Sequence, residues 1–192
     1  MNDCDSRRSS ELAEQDSEPP SRRAIEVDIV HEAGEWGDVD EIERLILIAA
    51  EAAAADPESG LAGTSAALAL SSDDRVAELN GAYRGKNRPT NVLSFPAGPE
   101  AEAFAQPGEP RFIGDIVLAA QTVAAEAAAM RIAPSHHLQH LVVHGLLHLA
   151  GFDHETDDEA AEMEGLETRI LATLGIADPY AAMDAAGEAD PH

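Results

Sequence analysis

Apolar residues recur along this chain with two periods, one typical of strands and one typical of helices. Segments in which β-branched and other apolar residues alternate or run together predict strands at 24–30, 65–70, 91–95 and 112–118. Segments with apolar residues three and four positions apart predict helices at 40–55, 72–84, 119–130, 135–150 and 157–174. The segment 98–110 contains three prolines and two glycines and is predicted to form a loop.

The order of these segments predicts the fold class. Strands alternate with helices first and helices gather later, which favours an α+β domain, with α/β as the alternative, around a small mixed four-stranded sheet packed with helices. Residues 1–23 are polar and predict a disordered leader, and the small, acidic segment 177–192 predicts a flexible tail. Residues 24–176 then form a single domain, which is long enough to bury a core.

Three histidines near the end of this domain have the spacing of metal ligands. His144 and His148 are four residues apart in a strongly apolar helix, so both imidazoles project from one face. Gly151 favours a helix end and a turn that brings back His154. Three protein ligands leave a coordination position open, so the pattern predicts one catalytic Zn²⁺, or a similar divalent metal, per chain on a buried helix and the turn after it.

Ordinary core histidines are the alternative interpretation of this pattern. Six of the eight histidines lie within 19 residues, and a buried imidazole needs a partner for each nitrogen, which favours the metal. The neighbouring His136, His137 and His140 are expected to face solvent or to support the ligands from outside.

The charge of the chain restricts its partners. A net charge of −25 on 192 residues argues against nucleic acid as a partner of the average surface. Arg84, Lys86 and Arg88 are a local exception, and such a focus can bind a phosphate, although a solvated loop is an equal alternative. The single cysteine, Cys4, excludes an internal disulfide, and neither a membrane span nor a signal peptide is visible, which predicts a cytoplasmic protein without a membrane partner.

The spacing H-x-x-x-H-x-x-G-x-x-H is shared with the metzincin zinc proteases. Those enzymes carry glutamate directly after the first histidine, where it acts as the general base. This chain has Gly145 at that position, so the usual proteolytic mechanism loses its base. A metzincin-like zinc metalloprotease therefore remains only an alternative function.

Three segments together resemble the YbeY family, whose members are bacterial rRNA maturation factors regarded as metal-dependent single-strand endoribonucleases. They are LNGAYRGKNRPTNVLSFP at 79–96, GDIV at 114–117 and HGLLHLAGFDH at 144–154. The resemblance implies that His144, His148 and His154 bind zinc or a similar divalent metal and that Arg84 is the basic residue of the active-site cleft. Asn87 departs from the pattern, because family members commonly carry aspartate there, and the long leader is additional to the family core.

The expected function is therefore a metal-dependent endoribonuclease specific for single strands, acting in small-subunit rRNA maturation and ribosome quality control. Arg84 would stabilise the charge that develops on the phosphate, and Lys86 and Arg88 would bind flanking phosphates. Ribosomal or ribosome-assembly proteins are candidate partners. A non-catalytic ribosome-assembly factor with a structural metal is a further alternative.

Supporting roles are expected for several other residues. Tyr83 or Phe95 would stack on a base, although both sit at positions that favour core packing. Asp115 would support a ligand histidine or form a turn at a strand end. Asp153 and Glu155 are the carboxylates nearest to the ligands in sequence and are candidate proton acceptors, with nothing in the sequence to choose between them.

Overall fold

One mixed four-stranded sheet organises the molecule. The computed structural model describes residues 24–104 and 108–181. Its strands are β1 (Ile25–His31), β2 (Thr64–Ser71), β3 (Val92–Pro96) and β4 (Arg111–Ala119). Its helices are α1 (Val39–Ala55), α2 (Asp73–Arg84), α3 (Pro99–Phe104), α4 (Ala120–Met130), α5 (Pro134–Ala150) and α6 (Asp157–Thr173).

The strand order is β1-β2-β4-β3. β1 pairs parallel with β2, β2 pairs parallel with β4, and β3 pairs antiparallel with β4. Parallel neighbours need a crossover between them, which α1 provides between β1 and β2. The prediction of a single α+β domain with a small mixed four-stranded sheet is confirmed.

The two faces of the sheet carry different amounts of core. On one face, Leu68 and Ile116 join the main buried cluster, to which α1, α5 and α6 contribute. On the other face, Val117 belongs to a much smaller cluster with Val76 of α2 and Leu93. Successive side chains of a strand point to opposite faces, so neighbours such as Ile116 and Val117 separate the two clusters. The histidine helix α5 therefore lies on the well-packed face.

Helix α5 begins and ends as its sequence predicts. Pro134 occupies the first turn, where its missing N–H costs nothing. Gly151 adopts a left-handed conformation with φ of 103°, and its N–H caps the helix by donating to the carbonyls of His148 and Leu147. The chain turns directly after the helix, and this turn carries His154.

The predicted loop at 98–110 is wrong in part, because residues Pro99–Phe104 form the short helix α3. Alanine and glutamate between Pro99 and Phe104 have high helix propensity, and proline is well tolerated at a helix start. The loop prediction rested on the prolines and glycines of the whole segment and overlooked this short helical stretch.

The chain ends lie largely outside the described residues. This holds for the predicted leader, 1–23, and for residues 182–192 of the predicted tail, so both boundaries stay predictions. Within the described part of the chain, no helix is both long enough and apolar enough to cross a membrane.

Candidate metal centre

The structure brings the three predicted metal ligands together. On α5, the Nε2 atoms of His144 and His148 are 3.1 Å apart. The ring centroid of His154 lies 5.7 Å from that of His144 and 5.0 Å from that of His148. One ligand atom of each histidine lies within 4.8 Å of the other two, which is a geometry that can hold one metal ion. His144 and His148 are half-buried, whereas His154 is exposed, so the cluster opens to solvent.

The Nδ1 atoms of His144 and His148 lie next to hydrogen-bond acceptors. The Nδ1 atom of His144 lies 2.8 Å from Oε1 of Glu167, and Nδ1 of His148 lies 3.0 Å from the carbonyl oxygen of Phe152. A carboxylate and a carbonyl oxygen can only accept, so each Nδ1 carries a proton and donates. In a neutral ring with its proton on Nδ1, Nε2 carries a free lone pair, and the two Nε2 atoms lie 3.1 Å apart. This donor set fits a cation.

Burial makes His148 a better metal ligand. Desolvation, with the neighbouring His144 as the next cause, lowers the pKa of His148 below its usual value. The lowered pKa favours the neutral imidazole, which is the form that binds a metal.

Glu167 of α6 is a functional candidate that the sequence interpretation missed. Its side chain is completely buried, although the acidic side chains of a surface helix usually form its solvated face. Burial opposes its charge, but hydrogen bonds from His140 and His144 outweigh this and lower the pKa of Glu167 to about 2. The helical period contained the signal, because Glu167 shares the inward face with Met163, Leu166 and Ile170.

The three remaining histidines of α5 differ from one another. His136 is exposed, as expected. His140 donates to Glu167 across 2.9 Å and so supports a predicted ligand from outside. His137 is 2% exposed, so solvent exposure is wrong for this residue. Its Nε2 atom is 2.9 Å from Oε2 of Glu126.

Asp115 does not contact the histidines, and its expected supporting role is wrong. It alternates with Ile116, which faces α5, and so projects from the opposite face of the sheet. There it lines an open groove of about 380 Å³ with Tyr83 and Phe95. Partial burial raises the pKa of Asp115.

The groove presents an exposed aromatic side chain. Tyr83 is 71% exposed, so its predicted place on the inner face of the helix is wrong. Its ring meets that of Phe95 edge to face, with 5.1 Å between the centroids. Phe95 packs against the smaller core cluster, as expected, and supports Tyr83 from beneath.

The predicted basic cluster lies at the end of α2, whose last residue is Arg84, and on the exposed loop that follows it. Gly85 ends α2 with φ of 69°, and the buried Asn80 donates through Nδ2 to the carbonyl of Arg88 across 2.8 Å. Arg84, Lys86 and Arg88 are all exposed. Among the residues that the structure describes, no hydrogen bond or salt bridge involves their side chains or joins them to the histidines. These cations are therefore available to a ligand.

Asn87, the departure from the family pattern, is exposed in the same loop. Its amide oxygen lies where a Cβ at Gly81 would be, so the loop folds closely onto α2 at this glycine.

Two carboxylates flank His154. The Oδ1 atom of Asp153 accepts from the backbone N–H of His154 across 2.8 Å, and both Asp153 and Glu155 are exposed. Their side chains stand next to the cluster in the chain, and neither is singled out by its contacts as a proton acceptor.

Comparison with known proteins decides the family. The family model described as Endoribonuclease YbeY matches residues 33–175. The chain belongs to the YbeY family. The resemblance carried by the three sequence segments is thereby confirmed, and the matched range includes both the basic loop and the histidine cluster.

Relatives within the YbeY family match most of the chain. A protein named Endoribonuclease YbeY from Rhodopseudomonas palustris is 49% identical over 158 residues, which cover 82% of this chain and 82% of that protein. A protein of the same name from Azorhizobium caulinodans is 46% identical over 162 residues, covering 82% of this chain and 97% of that protein.

A solved structure also resembles this fold. The solution structure of a protein from Thermotoga maritima has a TM-score of 0.51 and 25% sequence identity, and the match covers 86% of this chain and 96% of that one.

Proposed function

We propose that this member of the YbeY family is an endoribonuclease that depends on one bound divalent cation and cleaves single-stranded RNA. The observation that carries the proposal is the close approach of the Nε2 atoms of His144 and His148, 3.1 Å apart, with a ligand atom of His154 within 4.8 Å of both histidines. The relatives that match most of the chain are named endoribonucleases, which supports the type of reaction.

The three histidines would hold zinc or a similar divalent metal, one ion per chain. When bound, such an ion polarises a phosphoryl oxygen and makes a water molecule more acidic. The helix fixes two of the ligands, and the turn after Gly151 supplies the third from the solvent side. With three protein ligands, a position remains for water or substrate, as in catalytic rather than structural zinc sites.

Arg84 is the residue that we assign to the developing negative charge of the phosphate. Its planar guanidinium stays protonated and can donate two parallel hydrogen bonds. Lys86 and Arg88 would bind flanking phosphates, because both are exposed on the loop that directly follows Arg84. On a chain with a net charge of −25, this loop is where RNA meets the least repulsion.

Tyr83 would stack on a base of the same RNA strand. Its ring is exposed beside Arg84 and is held from below by Phe95. Stacking of bases on aromatic side chains is the usual way in which proteins bind single strands without reading their sequence.

The biological role that we propose is maturation of small-subunit rRNA and ribosome quality control in the cytoplasm. It rests on the resemblance to the YbeY family. Ribosomal or ribosome-assembly proteins are the partners that fit this role, since they would present the rRNA to an acidic protein that otherwise repels it.

Metal analysis of the purified chain tests the first step. We expect one divalent ion per chain in the wild type, a large loss in His148→Ala, and no loss in His136→Ala. His136 is the matched control, because it is an exposed histidine on the same helix. A chelator should lower the melting temperature, since metal binding stabilises the folded state. Equal metal content in wild type and His148→Ala would contradict the assignment.

Cleavage assays test the reaction. The metal-loaded chain should cleave an unstructured RNA and leave a duplex RNA and casein intact, and a chelator should abolish the cleavage. Casein cleavage without RNA cleavage would support the protease alternative. Bound metal without cleavage of either substrate would support the non-catalytic assembly factor.

A further inference from the structure

A buried carboxylate stands behind the histidine cluster. Glu167 is completely buried on α6, and its two oxygens have different partners. Oε1 accepts from Nδ1 of His144 across 2.8 Å, and Oε2 accepts from Nε2 of His140 across 2.9 Å. The hydroxyl of Tyr180 also donates to Oε2. Among the described residues, no lysine or arginine contacts this carboxylate.

We propose that Glu167 is a positioning residue for the metal centre, which holds His144 in the Nδ1–H tautomer with Nε2 directed at the ion. This inference rests on the proposed function, because it needs His144 to be a ligand. A histidine that can rotate or change tautomer offers its lone pair only part of the time. Hydrogen bonds from ligand histidines to carboxylates fix both the tautomer and the ring orientation, and they raise the basicity of the ligand nitrogen.

The cost of the buried charge supports a role beyond stability. A carboxylate removed from water loses much of its hydration, and an apolar side chain at such a position is often at least as stable. Glu167 lies among Met163, Leu166 and Ile170, which are ordinary core residues of α6. The apolar neighbours do not call for a carboxylate, so its partners His140, His144 and Tyr180 account for it, and through His144 its charge and acceptor atom serve a bound cation.

Two further side chains hold Glu167 in place. His140 donates from one turn before His144, and its ring meets the ring of Tyr180 edge to face at 5.8 Å between centroids. Tyr180 lies on the segment after α6, where Asp178 anchors the chain by accepting from Thr168 of α6. The segment after α6 therefore contributes to a metal centre that is built on α5.

A second metal site at His140, His144 and Glu167 is the competing interpretation of this cluster, since its ligand atoms also lie within 4.8 Å of one another. The hydrogen bonds at 2.8 and 2.9 Å, together with the Tyr180 hydroxyl, already satisfy both carboxylate oxygens. We therefore expect one ion per chain, and two ions per chain in the wild type would overturn the positioning role.

The test compares metal affinity in three variants of the full chain, by competition with a chromophoric chelator for Zn²⁺. Glu167→Gln keeps the shape but leaves one acceptor atom instead of two, and it should bind Zn²⁺ about 10- to 100-fold more weakly. Tyr180→Phe removes only one donor to the carboxylate, so it should weaken binding in the same direction by less. Glu126→Gln is the matched control. Glu126 of α4 pairs with the buried His137 of α5, which is not a predicted ligand, so the Zn²⁺ affinity of this variant should equal that of the wild type.

Nitrogen NMR of the histidine rings gives a readout that a merely structural role would not move. In the wild type we expect Nδ1 of His144 to be protonated both with Zn²⁺ and after its removal. In metal-free Glu167→Gln, part of the His144 population should carry the proton on Nε2 instead. The wild-type measurement needs no variant, so it decides the matter even if Glu167→Gln fails to fold.

The outcomes separate this inference from the proposed function. If the wild type binds no Zn²⁺, or binds it without the three histidines, the proposed metal centre is wrong. If the wild type binds one Zn²⁺ through them and Glu167→Gln binds it equally well, or if His144 carries its proton on Nε2 in the wild type, the metal centre stands and the positioning role of Glu167 is overturned.

Discussion

Gly145 lies so close to Ile116 that a Cβ on the glycine would be 3.0 Å from Cδ1 and 3.2 Å from Cγ2 of the isoleucine. Gly145, which directly follows the predicted ligand His144, thus faces the sheet. The hydroxyl of Ser94 on β3 donates to the carbonyl of Gly145 at the same contact. The position that holds the general base in metzincin proteases is here the point where α5 packs against β3 and β4, and a glutamate there would have no room.

Substitution of Gly145 tests this packing. Gly145→Ala should lack the gain of about 0.5–1 kcal/mol that alanine usually brings to a helix, because the added methyl overpacks the contact with Ile116. Gly165→Ala on α6 is the control, since nothing lies within 4 Å of its added Cβ, and it should show the gain. Urea unfolding of both variants measures the difference, which we expect to be at least about 1 kcal/mol. Equal stability of the two variants would show that α5 can move away from the sheet.

Arg84→Ala should reduce RNA cleavage about 10²–10³-fold, the usual cost of losing one donor to a developing oxyanion. Metal content and melting temperature should hardly change, because Arg84 is exposed and its side chain has no hydrogen-bonding partner among the described residues. Arg84→Lys should restore the activity only in part, since an ammonium group cannot donate like the guanidinium fork. Single-turnover cleavage rates give the comparison.

Other cations serve as controls for Arg84. Arg44→Ala on α1 removes an exposed arginine paired with Glu41, and it should cleave RNA at the wild-type rate. Lys86→Ala and Arg88→Ala should mainly weaken RNA binding and make it less dependent on salt, as expected for contacts to phosphates. Wild-type cleavage by Arg84→Ala would mean that the basic loop is only solvated.

Tyr83→Ala should weaken binding of single-stranded RNA by about 1–3 kcal/mol, the usual value of one stacked base. With 71% of the side chain exposed, the melting temperature should change little. Tyr83→Phe keeps the ring and should bind like the wild type. Fluorescence titration with a short labelled RNA measures the affinities, and equal binding by Tyr83→Ala would exclude stacking at this residue.

Acid should weaken the junction between α1 and α6. The hydrogen bond from Arg169 lowers the pKa of Asp56, which ends α1. A carboxyl group with a lowered pKa binds fewer protons in the folded chain than in the unfolded one. Its stabilisation is therefore complete above its usual pKa near 4 and is lost as the pH falls below it.

The expected acid effect is small, because half of the Arg169 side chain is exposed and water screens the pair. The pair contributes to the difference between the unfolding free energies at pH 5 and at pH 3. Arg169→Ala should lose most of this contribution. If the wild type and Arg169→Ala show the same acid dependence, the pair is too well solvated to matter.

The sequence predicted the parts of the molecule that depend on local spacing. The period of apolar residues located the four strands and the long helices, and the i, i+4 spacing of His144 and His148 predicted that the imidazoles would meet. These features need only the geometry of a single element. The family resemblance predicted from the three segments is confirmed by the family model.

Long-range contacts were beyond the sequence interpretation. Support for a ligand histidine was expected from Asp115, whereas the structure places Glu167 beside His144, 23 residues further along the chain. Tyr83 was assigned inward by helical period alone, although the smaller cluster on that face of the sheet leaves it exposed. Both errors have one cause, since which helix covers which face of a sheet is decided by packing between elements that are distant in sequence.

The strand order places β1 at one edge of the sheet. Among the described residues, the outer edge of β1 has no neighbouring strand, and its backbone is a template on which a strand of another molecule can add. Glu26 and Asp28 are exposed on this strand. Edge-to-edge approach of two copies would bring like carboxylates together. Their repulsion therefore opposes aggregation at the sheet edge, where strands of two molecules pair most easily.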